Sequence, residues 1–94
     1  MIRIYVLIDP FTLQVRYVGR TSKKLRVRMQ VHLGKTDNSN GEKEYWIRSL
    51  DKQGRIPHIK EVDLVEKSDA KDAEIRWIRH YESLGCYLLN INGA

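Results

Sequence analysis

A chain of 94 residues has room for one small domain, spanning residues 1–94, and a domain of this size buries about two thirds of the surface its unfolded form exposes. With 41% hydrophobic and 31% charged residues, the composition excludes a disordered chain and a membrane-spanning one. Seventeen Lys and Arg against twelve Asp and Glu leave a net charge of +5 and a pI near 9.5, which favours an anionic partner such as nucleic acid.

The opening MIRIYVLIDP carries an apolar run, but Arg3 and Asp9 interrupt it and no small-residue cleavage site follows, so it does not read as a signal peptide. The lone cysteine, Cys86, has no second cysteine for an internal disulfide or a zinc knuckle and suits a reducing cytoplasm. Residues 2–8 and 14–20 are rich in β-branched and aromatic side chains, and the Asp-Pro that opens the intervening DPFTL marks a turn. A three-residue loop would set Asp9 opposite Leu13 and Tyr5 opposite Tyr17, with both phenols on one face. Thr21 or Ser22 then caps a helix from Lys23 to Leu33, which Gly34 ends. Leu25, Met29 and Leu33 form its apolar stripe, and Arg28 and His32 border that stripe at the edge of the core.

Asn38 to Gly41 reads as a loop. A second helix from Glu42 to Gln53 carries Trp46, Ile47 and Leu50 on one face and stops at Gly54. After Pro57, the alternating Ile59 to Val65 reads as a third strand against the hairpin. Ser68 caps a last helix that runs to Leu84 and closes at Gly85, and the tail from Cys86 to Ala94 returns over the body. No repeat or low-complexity segment interrupts the chain, and the fold class is α/β, more narrowly a small α+β domain.

The apolar face of the last helix, made by Ala70, Ala73, Trp77, Ile78, Tyr81 and Leu84, recurs at three and four residues as a core face does. Glu74 lies in the middle of it, whereas Asp69, Asp72 and Glu82 fall on its flanks or back. Burying an unpaired carboxylate costs several kcal/mol, so a cation or a metal is expected beside it. One reading is an internal salt bridge to Arg28 or another arginine. The other is a ligand for a divalent metal, since Mg²⁺ is held by one or two carboxylates together with waters and substrate phosphate oxygens.

Five pieces of the sequence, taken in order, resemble one family. Ile4-Tyr5-Val6 and Tyr17-Val18-Gly19 are followed by Arg28-x-x-x-His32, then by Glu74 within E-x-x-W-I, and finally by Leu89-Asn90. Together they cover nearly the whole chain and resemble the GIY-YIG nuclease domain, departing from the family name at Arg3 and Val18. The resemblance implies a three-stranded antiparallel sheet between helices and a single-metal phosphodiesterase site on one face of that sheet. It further implies Mg²⁺ or Mn²⁺ on Glu74, DNA as substrate, and a tyrosine base, for which Tyr5 and Tyr17 are both eligible.

Phosphodiester hydrolysis needs an activated water, neutralisation of charge on the phosphoryl oxygens and help for the departing oxygen. Arg28, always cationic and able to fork onto two oxygens, is the candidate clamp, and Arg20 directly after Gly19 adds a second cation. A free tyrosine has a pKa near 10, and bringing it to 7 takes about 4 kcal/mol of preferential phenolate stabilisation; Arg20, Arg28 and a metal act in that direction. His32 either assists the base or holds the site together, or it is an ordinary half-buried histidine. Asn90 braces the metal ligand or the sheet from the tail, unless it is simply a turn residue. Lys23, Lys24, Arg26 and Lys35 are expected to touch phosphates, and Tyr45 is a candidate DNA contact.

His58 and His80 have no ligand partners at useful spacing. No zinc finger or helix-turn-helix motif accompanies the module, so specificity would come from DNA structure, from a homodimer, from a separate partner or from a longer protein. A phage or mobile-element origin is consistent with the size. The competing expectations are a non-catalytic nucleic-acid-binding module of the same fold and a structural α/β protein with an Arg28–Glu74 pair.

Overall fold

The computed structural model describes residues 1–34 and 41–90. Strands β1 (Ile2–Ile8), β2 (Val15–Thr21) and β3 (His58–Val65) form one antiparallel sheet in the order β2-β1-β3. Helices α1 (Leu25–Leu33) and α2 (Glu42–Lys52) lie over one face, and α3 (Ala70–Ser83), entered through a 3₁₀ turn at Lys67–Asp69, covers the other. The domain is thus α+β with an open three-stranded sheet. Among the described residues no helix is long and apolar enough to cross a membrane.

The central position of β1 explains its unbroken apolar run. Ile4 and Val6 pack with Val18, Ala73 and Ile78 on the α3 side, whereas Tyr5 and Leu7 pack with Met29 and Ile47 on the side of α1 and α2. A strand covered on both faces loses the alternation of a half-exposed one.

The hairpin departs from the expected register by two residues. Asp9 N–H donates to the Gln14 carbonyl at 2.9 Å and Leu13 N–H to the Asp9 carbonyl at 2.8 Å, so the loop holds four residues rather than three. A bulge then adds one more residue to β2, because Ile8 pairs with Val15 but Leu7 pairs with Tyr17. Tyr5 therefore lies opposite Gly19, and Tyr17 opposite Leu7. Two single-residue shifts preserve the parity of the pleat, and both tyrosines stay on one face as expected. Asp9 anchors the loop. Its Oδ1 accepts the N–H groups of Phe11 and Thr12, and its Oδ2 accepts the Trp46 indole N–H at 3.0 Å, which ties α2 to the hairpin.

Helix boundaries also shift. α1 begins at Leu25 rather than Lys23, since the Thr21 hydroxyl instead accepts the Lys23 N–H at 3.0 Å and holds the turn ahead of the helix. Leu33, expected in the apolar stripe, is exposed, and His32, expected at its border, is buried instead. α3 starts after the 3₁₀ turn with Asp69, not Ser68, in the capping position, and the expected core residue Leu84 is exposed beyond its end. Gly54 and Gly85, at φ +70° and +87°, end α2 and α3 in the left-handed region that favours glycine.

From Cys86 to Asn90 the tail returns over the body as expected, and residues 91–94 lie outside the described residues. Leu89 N–H donates to the Arg16 carbonyl, while the Asn90 side chain accepts the Val18 N–H at 3.0 Å and donates to the Val18 carbonyl at 2.6 Å. It thereby covers part of the outer edge of β2.

Candidate functional site

Four of the expected residues, drawn from two strands and a helix, converge beneath α1 and α2. Alternation brings Tyr5 and Tyr17 to one face, and the helical step of four brings Arg28 and His32 down onto it. The two phenol rings are 6.4 Å apart between centroids, and the His32 ring meets them edge-on at 5.8 and 5.6 Å. Tyr5 is 0% exposed and Tyr17 is half-buried. The Tyr5 hydroxyl lies 2.7 Å from His32 Nε2 and accepts the Arg28 Nε–H at 3.1 Å.

Lys43, at the start of α2, completes this group and was not singled out in the sequence, where Glu-Lys-Glu at a helix start resembles a solvated first turn. Its Nζ lies 3.3 Å from His32 Nδ1 and 5.1 Å from the centroid of the Tyr17 ring. An ammonium only donates, so Nδ1 is the acceptor and the His32 proton belongs on Nε2. With the other tautomer an N–H would point at a cation. The Tyr5 oxygen then accepts two N–H bonds, from Arg28 and from His32, an arrangement that stabilises charge on the phenol oxygen. Burial works against this and pushes the Tyr5 pKa above its ordinary value of 10.0; the Arg28 hydrogen bond opposes the rise, while the neighbouring Tyr17 and Glu74 add to it.

Gly19 is required by contact rather than by backbone angle. A Cβ at this position would lie 2.5 Å from Tyr5 Cζ and 2.9 Å from Tyr17 Cε2, and closer still to the Tyr5 hydroxyl. Gly19→Ala is therefore expected to push the Tyr5 ring off His32 and Arg28 and to destabilise the fold by about 1–3 kcal/mol. A lowered urea midpoint together with altered His32 ring signals in NMR checks this.

Glu74 comes from α3, on the other side of the sheet. It is 9% exposed and forms no ion pair with Arg28 or any other cation of the described residues, which removes the internal salt bridge expected as an alternative. Desolvation raises its pKa above the ordinary 4.5, with the charge of Arg20 opposing. The same carboxylate contributes to the rise at Tyr5, so its field reaches the tyrosine cluster. A largely buried carboxylate with no ion-pair partner among the described residues fits a hard divalent cation whose other ligands are waters and phosphate oxygens. Among the described residues no group of three or more His, Cys, Asp or Glu forms an all-protein metal cage.

The remaining expected residues lie outside this cluster. Arg20, Lys23, Lys24 and Arg26 are exposed around the β2–α1 junction, and Tyr45 is exposed on α2. Lys35 falls outside the described residues. Asn90 does not face a substrate, because its amide is taken up by both backbone groups of Val18 and braces the sheet. Besides Asp9 and Glu74, a further buried carboxylate, Glu44, was not expected. It sits on the Ile47 and Leu50 side of α2 at a spacing of three and six, its Oε2 has no hydrogen-bond partner, and it lines a cleft with His32, Arg48 and Asp51.

Comparison of the chain with protein-family models, with curated proteins and with solved structures gives no match.

Proposed function

We propose that this chain is a metal-dependent endonuclease that hydrolyses DNA phosphodiester bonds, with a site of the GIY-YIG kind. The observation that carries this reading is the convergence of Tyr5, Tyr17, Arg28 and His32 on one face, with the Tyr5 oxygen bridged by Arg28 and His32 and its environment coupled to the unpaired Glu74. Glu74, a largely buried carboxylate on the apolar face of α3 with no ion-pair partner among the described residues, supports the reading.

In this reading Glu74 holds Mg²⁺ or Mn²⁺, which supplies positive charge to the phosphoryl and leaving oxygens when bound. Arg28 clamps the scissile phosphate through its guanidinium, whose Nε–H also holds the Tyr5 hydroxyl. Tyr17 is the substrate-facing phenol. Its ring is half-exposed with Lys43 over it, whereas the Tyr5 hydroxyl is fully buried and held protonated by burial. The Tyr17 oxygen, as phenolate, takes a proton from the attacking water. Tyr5 and His32 are positioning residues that fix the Arg28 side chain.

Supercoiled plasmid and branched DNA are expected to be nicked with Mg²⁺ or Mn²⁺ and left intact in EDTA. Tyr17→Phe should lower the rate by about 100-fold or more while leaving binding unchanged. Retained binding without nicking in either metal would replace this reading with the non-catalytic module, which the full burial of Tyr5 favours.

A further inference from the structure

A groove lies between the end of β2 and the start of α3, on the other side of the sheet from the tyrosine cluster. Its walls include Arg20, Thr21, Ser22, Lys67, Ala70 and Lys71. Three cations meet there from three separate segments, and no acidic side chain lines it. Lys67, in the 3₁₀ turn, and Lys71, in the first turn of α3, bring two like charges to one wall of the groove. Glu66, Asp69 and Asp72, the acids nearest in sequence, do not line the groove. Such a concentration of positive charge attracts an anion, and an open groove walled by exposed cations suits a phosphate that passes along it rather than one enclosed by it.

We propose that this groove seats a backbone phosphate of the DNA strand flanking the cleavage point, an assignment that rests on the nuclease reading above. The two regions adjoin along α3, because Glu74 follows Ala70 and Lys71, which line the groove, by about one helical turn. A strand leaving Glu74 along Arg20 enters the groove and meets Lys67 and Lys71. Ser22 presents an exposed hydroxyl on the same wall, and Thr21, whose oxygen already accepts the Lys23 N–H, holds the wall in place. The groove reads no bases. It fixes the direction in which the strand crosses the site.

The test is duplex binding without divalent metal, measured in EDTA over a series of salt concentrations. Each lost phosphate contact lowers the slope of log K against log salt by about 0.9, so Lys67→Gln/Lys71→Gln should lower it by about 1 to 2 and weaken binding several-fold. The control variant Lys52→Gln/Arg79→Gln, which removes the same charge outside the groove, should keep the wild-type slope. Equal changes in both variants, or no DNA binding by the wild type, would overturn the assignment. In NMR, the duplex should shift the Thr21, Ser22 and Lys71 amide signals, and inorganic phosphate at equal phosphate concentration should not. Matching shifts from inorganic phosphate would make the groove a free-anion pocket instead. Binding in EDTA is independent of cleavage, so a reduced slope in a protein that never cuts would retain the groove and reject the nuclease, and the converse result would reject the groove alone.

Discussion

Arg28→Ala is expected to slow DNA nicking by about 1,000-fold or more while leaving duplex affinity within a few-fold of wild type. The asymmetry follows from its place. Arg28 is one of 17 basic residues, and a binding surface made by many cations loses little when one is removed. In the cluster, however, its Nε–H donates to the Tyr5 hydroxyl at 3.1 Å, so the same substitution removes the clamp and one of the two donors that set the tyrosine. Arg28→Lys should not restore activity, because an ammonium cannot hold Tyr5 and fork onto a phosphate at once. Single-turnover nicking and gel shifts on one preparation decide the matter. Cleavage within a few-fold of wild type would take Arg28 out of the mechanism.

Glu74→Gln should abolish metal-dependent nicking and, in EDTA at neutral pH, should melt no earlier than wild type. The sign comes from burial. Desolvation, opposed by Arg20, raises the folded-state pKa above the ordinary 4.5, so between the two values the folded chain binds more protons than the unfolded one. Stability then falls as pH rises from the ordinary carboxylate range through the raised value, and the loss persists at pH 7. E74Q lacks that titration, and its advantage should vanish in acid. Mg²⁺ should raise the melting midpoint of wild type alone, since only a site that binds the folded state gains from the ligand. A structural ion pair predicts the reverse, a loss of about 3–5 kcal/mol from a stranded buried arginine. An early melt of E74Q in EDTA combined with undiminished nicking would return Glu74 to the scaffold.

Much of this arrangement was legible in the sequence because it rests on parity and on helical spacing. Tyr5 and Tyr17 are separated by an even step across the hairpin, and Arg28 and His32 by one helical turn, so each pair shares a face even where the register is misjudged. The register itself was not legible. A four-residue loop and a bulge at β2 each shift it by one, and neither leaves a glycine or Asn-Gly signature, since the residue in the left-handed region is Leu13 at φ 62°. Glu74 was found because it breaks an apolar face, whereas Glu44 hides in a helix rich in charge. Lys43 could not be found by periodicity, because its role depends on where α2 docks. The Asp9 carboxylate fixes that docking through Trp46, a contact 37 residues apart in sequence.

The docking of the tail on β2 bears on how copies of this chain can associate. An uncovered strand edge is a template for another chain, and Leu89 and Asn90 occupy the backbone groups of Arg16 and Val18 that β2 would otherwise offer. The opposite edge of the sheet, β3, carries Lys60, Glu61 and Asp63 within eight residues, a charge density that resists continuous pairing. Sheet extension from one molecule into the next is thus discouraged at both ends. A homodimer of the proposed nuclease is therefore expected to use surfaces other than these two strand edges.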